Sequence, residues 1–165
     1  MAAFIHRSTP LAALLLTGML VLPGCGAHLR GLVQVEPPPP VGAPTVRLRV
    51  PDGHTWRLRL TEEAWPLRSL DGCTVQVEGR RWLRSFVVAS WQVLDAGDGS
   101  APFVGEVHRI GVNLMIEDRN SGMALILDEQ GAENLSALEG HVVMVRGYIV
   151  GPQALRVVGY RVLAE

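Results

Sequence analysis

Four arginines stand where strand alternation would gather them. Arg47, Arg49, Arg57 and Arg59 alternate with Val46, Leu48, Val50, Trp56, Leu58 and Leu60 on either side of an Asp52-Gly53 turn. A period of two puts the apolar set toward a core and the guanidinium groups on the opposite face. Like charges on paired strands repel, so such a face needs anions or acidic neighbours. The planar guanidinium fork binds carboxylate or phosphate through two parallel hydrogen bonds. The chemistry on offer is recognition of an anion. A solvated outer face, or pairing with acids of the same chain, is the plainer explanation of the same pattern. Arg80-Arg81-Trp82-Leu83-Arg84 adds a second basic stretch and reads as a loop. Arg81 and Trp82 are its candidate contacts, since arginine beside an aromatic ring suits a glycan, a protein or a nucleic acid.

Nothing in the chain has the pattern of a catalytic site. His28, His54, His108 and His141 show no paired metal spacing and no motif with a nucleophile. There is no nucleophile elbow and no phosphate-cradling glycine loop. Glu117 and Asp118 are adjacent, so a strand points them to opposite sides. Asp118-Arg119-Asn120-Ser121-Gly122 begins like a calcium loop but lacks the later glutamate, and a hairpin turn accounts for it. The expectation is a protein that is not an enzyme, with no catalytic residue, no metal and no cofactor beyond a covalent lipid.

Composition bounds the fold. Hydrophobic residues make up 48% and charged residues 19%, which suits a globular chain. Eighteen glycines and eleven prolines favour turns and strands over long helices. All fifteen basic residues are arginine, and the net charge of −1 excludes a strongly basic nucleic-acid binder.

The first residues read as an address. His6 and Arg7 precede an apolar run, Leu11 to Leu22, of signal-peptide length; a spanning helix needs roughly 20 apolar residues. The run ends in Leu22-Pro23-Gly24-Cys25. This resembles the lipobox of bacterial lipoproteins, with Pro23 unusual at its place. The resemblance implies cleavage after residue 24, a diacylglyceryl group on the Cys25 sulfur, and a fatty acyl group such as palmitate on the new amine. Gly26 in place of an aspartate then favours the outer membrane. Lipidation would leave Cys73 alone, a buried inert thiol with no disulfide partner.

The rest of the chain repeats itself. Leu70-Asp71-Gly72-Cys73-Thr74-Val75-Gln76-Val77-Glu78-Gly79 matches Leu138-Glu139-Gly140-His141-Val142-Val143-Met144-Val145-Arg146-Gly147. Upstream, the arginine hairpin matches Val112 to Ile116 and Met123 to Leu127, and Gly31-Leu32-Val33 matches Gly105-Glu106-Val107. Downstream, Phe86 and Val88 give way to Trp91 and Val93, as Leu155 and Val157 give way to Tyr160 and Val162. A one-residue change of phase predicts a β-bulge in each copy.

Each copy therefore reads β-β-β, a short helix or loop, then β-β. That order resembles the OB-fold, a five-stranded Greek-key barrel whose second and third strands form a usual binding surface. The resemblance extends to small bacterial OB-fold envelope proteins and implies a mainly all-β protein of two tandem barrels. The organisation expected is a signal peptide over 1–24, an anchored stretch 25–28, modules at 29–94 and 103–165, and a linker 95–102. Residues 37–44, rich in proline, read as an extended loop between strands one and two of module 1 if Gly31 to Val35 is a strand, and otherwise as a spacer from the lipid anchor. A single sandwich or barrel using all the strands together is the alternative.

The copies differ in charge. Between 29 and 94, nine arginines face six acids; between 103 and 163, five face seven. On the second hairpin the outer face carries Asn113, Met115, Ala124 and Ile126, too apolar to stand bare, so it is expected to pack on the other copy, a helix or a partner. The function expected is a membrane-anchored envelope lipoprotein that binds or scaffolds. Its partners are the membrane through the anchor, an envelope protein, or an acidic glycan or lipid head group at the arginine face. Nucleic acid is not expected.

Overall fold

A computed structural model describes residues 26–38, 40 and 42–163. The signal-peptide segment and Cys25 lie outside the described residues. The described residues form ten strands in two sheets. β1 (Ala27–Glu36), β2 (Thr45–Arg49), β3 (Thr55–Arg59), β4 (Thr74–Trp82) and β5 (Ser85–Asp95) close into a barrel in the order β1-β2-β3-β5-β4. The closing joint is parallel, with Arg57, Leu58 and Arg59 opposite Ser85, Phe86 and Val87. A 3-10 turn, Trp65–Ser69, connects β3 to β4. The proline-rich segment joins β1 to β2, where its missing N–H groups disturb no ladder.

β6 (Phe103–Ile110), β7 (Asn113–Asp118), β8 (Ala124–Leu127), β9 (Val142–Ile149) and β10 (Ala154–Val162) form the second sheet in the order β10-β8-β7-β6-β9. Its joint between β10 and β8 is only two residue pairs long. Helix α1 (Glu129–Leu135) and a 3-10 turn (Ser136–Leu138) lie between β8 and β9. Asp128 caps α1, its side chain accepting from Gly131 N at 3.1 Å. Among the described residues no ladder joins the two sheets and β1 to β5 close on themselves, so the strands do not make one barrel.

The alternation seen in the sequence becomes the first core. Val46, Leu48, Val50 and Leu58 are buried with Val75, Val77, Phe86 and Val88. Burying each such side chain contributes about 1.5–3 kcal/mol. Trp56 and Leu60 are only half-buried, at the rim. Both bulges are present. The β4–β5 register skips Ala89 between Val88 and Ser90, and the β9–β10 register skips Val158 between Val157 and Gly159.

The glycines shared by the copies mark crowded backbone. A Cβ on Gly79 would sit 1.9 Å from Val87 O, and one on Gly147 would sit 2.2 Å from Arg156 O. Gly31 and Gly105 meet Arg49 O and Glu117 O in the same way. Each pair occupies the same place in its sheet, so the repeat is one of backbone geometry as well as sequence.

The halves meet through a contact the sequence did not suggest. Val104, Met144 and Leu163, all from the second half, are buried in the first half's core. Arg161 Nη1 donates to Ser69 O at 3.0 Å and to Asp71 O at 3.4 Å, and the Arg119 guanidinium stands 5.8 Å over the Trp91 ring. Asn113, Met115, Ala124 and Ile126 belong to neither cluster of buried side chains. Met115, Ala124 and Ile126 are half-buried and Asn113 is exposed. β1 begins at Ala27, two residues before the expected start of module 1 at residue 29.

Candidate ligand-binding groove

The β4–β5 hairpin is tight. Trp82 pairs with Ser85, leaving Leu83 and Arg84 as the turn. Arg80, Arg81 and Trp82 thus belong to β4 and not to a loop, which corrects the sequence reading. Ser85 is also opposite Arg57 across the parallel joint. Residues directly opposite share a face, so the registers define one outer row: Gln34, Arg47, Arg57, Ser85, Trp82.

An open groove of ≈ 840 Å³ follows that row between β3 and the hairpin. Arg57, Leu58, Arg59, Leu60, Trp82, Leu83, Arg84 and Ser85 line it, with three guanidinium groups and no acid. It offers forked donors, one half-exposed indole and the apolar side chains of Leu60 and Leu83. That set suits a ligand carrying phosphate or carboxylate on an apolar or sugar frame.

The structure divides the candidate residues. Arg57, Arg59 and Trp82 come together. Arg47 stands directly opposite Arg57, but its Nε lies 2.7 Å from Glu36 Oε1, so the chain supplies its own counter-ion there. Arg49 borders a different depression, with Arg30, Pro51 and Gly53. Arg81 points away from the groove. It is registered on buried Phe86, and its guanidinium lies 5.1 Å over Trp56, which meets Phe86 edge-on at 6.5 Å. Arg81 therefore roofs one end of the core. Arg84 is the groove residue that sequence reasoning missed, although it belongs to the same basic stretch.

The other polar candidates have structural partners. Asp118 is 3% exposed; its Oδ1 accepts from Val104 N at 3.0 Å, and its Oδ2 from Ser121 N and Ser121 Oγ at 2.9 and 2.7 Å. Both oxygens serve the β7–β8 turn and the start of β6. Burial pushes the Cys73 thiol above its ordinary range, against a smaller opposing effect of Arg161, so it stays protonated and a poor nucleophile.

No protein-family model matches the chain, and no curated protein matches it. Among solved structures it is similar to "Crystal structure of the tetrameric p202 HIN2", at 10% identity over 84% of this chain and 95% of that chain, with a TM-score of 0.31. At that level neither fold detail nor function transfers.

Proposed function

We propose that this chain is a membrane-anchored, non-enzymatic binding module of the bacterial envelope. It is built of two OB-like barrels, the first of which holds an anionic envelope ligand in the β3–hairpin groove. The observation that carries this reading is the gathering of Arg57, Arg59, Arg84 and Trp82 around one groove, with no acid among the described residues that line it. Among the described residues, an acid pairs with Arg47 and with none of Arg49, Arg57 and Arg59. The lipobox-like Leu22-Pro23-Gly24-Cys25 supports anchoring through a diacylglyceryl group on Cys25, in the outer membrane. The ligand class is an acidic glycan or a phosphorylated lipid head group.

Two measurements test the reading. The mass of the protein recovered from membranes, beside a Cys25→Ser variant, gives the anchor: residues 1–24 lost and lipid gained, both abolished in the variant. Calorimetric titration with a polyuronate and with purified lipopolysaccharide gives the ligand. Binding should weaken with salt and fall at least about tenfold in an Arg57→Glu/Arg59→Glu variant. Absence of binding to either probe, or equal binding by the variant, overturns the groove assignment. A scaffold role has its own support in Tyr148, Ile149, Val150 and Val158, large apolar side chains left exposed on β9, β10 and their connection.

A further inference from the structure

The turn that ends the β4–β5 hairpin is built against backbone preference. Leu83 has φ 53°, a left-handed conformation that glycine takes freely and leucine does not. In exchange its side chain gains no packing, being 91% exposed, and neighbouring Trp82 is 48% exposed. The fold therefore strains its backbone to hold a leucine in water. Around this apolar tip stand Arg80, whose guanidinium is 5.6 Å from the Trp82 ring, and Arg84.

The tip also has a definite direction. β1 starts with Ala27 opposite Gly79 and His28 opposite Glu78. β4 then runs on through Arg80, Arg81 and Trp82, carrying the tip roughly 10 Å past the start of β1 at about 3.3 Å per residue. Gly26, the first described residue, precedes β1 at this same end.

We propose that the hairpin tip inserts into the surface of an anionic phospholipid bilayer. Leu83 and Trp82 enter the boundary between head groups and acyl chains, and Arg80 and Arg84 bind lipid phosphates. An indole at head-group depth, an aliphatic side chain below it and arginines reaching back to phosphate are the set that an interface selects. The orientation rests in part on the proposed anchor. With lipid on Cys25, two residues before β1, anchor and tip meet one bilayer. Two contacts on one surface strengthen each other, and the arginine groove is held beside the head groups.

The test uses the chain from Gly26 onward without lipid, since it carries every strand of both sheets. It is sedimented with phosphatidylcholine vesicles, with and without phosphatidylglycerol, and with vesicles brominated in the acyl chains. The expected result is binding that requires phosphatidylglycerol, with bromine quenching of tryptophan fluorescence that a Trp82→Phe variant loses. Leu83→Glu should cut partition about tenfold or more without changing the circular dichroism. Leu83→Gly, which relieves the turn, should raise the melting temperature while weakening partition. No binding to phosphatidylglycerol vesicles, or binding that Leu83→Glu leaves intact, overturns the proposal. So does an effect of Leu83→Glu confined to polyuronate binding, which would give the tip to the groove's ligand. Vesicle binding kept by a chain whose groove binds no probe sinks the ligand reading alone. Vesicle binding kept by a protein recovered without lipid sinks the anchor alone.

Discussion

Arg57 and Trp82 face the same groove because both are registered on Ser85, one across a parallel joint and the other across a hairpin. Neither residue's sequence neighbourhood contains the other. The closure of the first barrel makes the site, and the site depends on β3 meeting β5.

The arginines on the hairpin should not contribute equally. Arg57→Ala or Arg59→Ala is expected to weaken binding of an anionic ligand by about 1.5–3 kcal/mol each, the range for hydrogen bonds to charged groups. Arg47→Ala should have a much smaller effect, because Glu36 already holds that guanidinium. Titration calorimetry of the three variants at two salt concentrations checks the order.

The shared glycines give a stability prediction. Alanine at Gly79 or Gly147 drives a methyl group into Val87 O or Arg156 O. Each substitution should destabilise its own half by about 1–3 kcal/mol or more through forced backbone shifts. Urea unfolding measures the total, and amide hydrogen exchange assigns the loss to a half. Similar losses in both halves are expected from the matched geometry.

Removing the carboxylate of Asp118 strands three donors, the N–H groups of Val104 and Ser121 and the Ser121 hydroxyl. Asp118→Ala should cost about 2–4 kcal/mol, since two of the lost bonds tie the turn and one ties β6. Asp118→Asn keeps an acceptor for one partner and should fall between. Calcium should protect neither variant nor the parent against heating, and a calcium-dependent rise in melting temperature would contradict the turn reading.

Asp98 links the inter-half segment to β9. Hydrogen bonds from Ser100 and from Arg146, the latter at 2.8 Å, lower its pKa to about 2. A depressed carboxylate contributes stability above its unfolded value of 3.8, and that contribution is lost as pH falls through about 2. Carbon-13 shifts of the carboxyl group should titrate near pH 2 in the parent and higher in Ser100→Ala. An unshifted midpoint near 3.8 in the parent would refute the link. The pair is open to solvent, so salt should weaken it.

Much of the fold was legible because alternation and turn chemistry are local. The arginine hairpin, its counterpart at Val112–Leu127, the repeat and both bulges follow from spacing within short segments. The groove was only half legible. Which of the outward arginines stay free depends on acids that register brings near: Glu36 reaches Arg47 from β1, and no pattern in β2 or β3 says so. Arg81 and Trp82 are neighbours in a basic run, yet alternation sends one to the core's rim and the other to the groove. That split follows only once the run is known to be strand. The junction of the halves was illegible, because Val104, Met144 and Leu163 look like any other strand residues of the second copy.

Leu163 follows β10 in the chain, yet it is 1% exposed and buried in the core that β1 to β5 build. Polypeptides are made from the N-terminus, and domains generally fold as they emerge. Here the earlier half cannot seal its interior until β10 of the later half has been made. Synthesis order and completion order run opposite ways, so the repeat copied first is the one finished last.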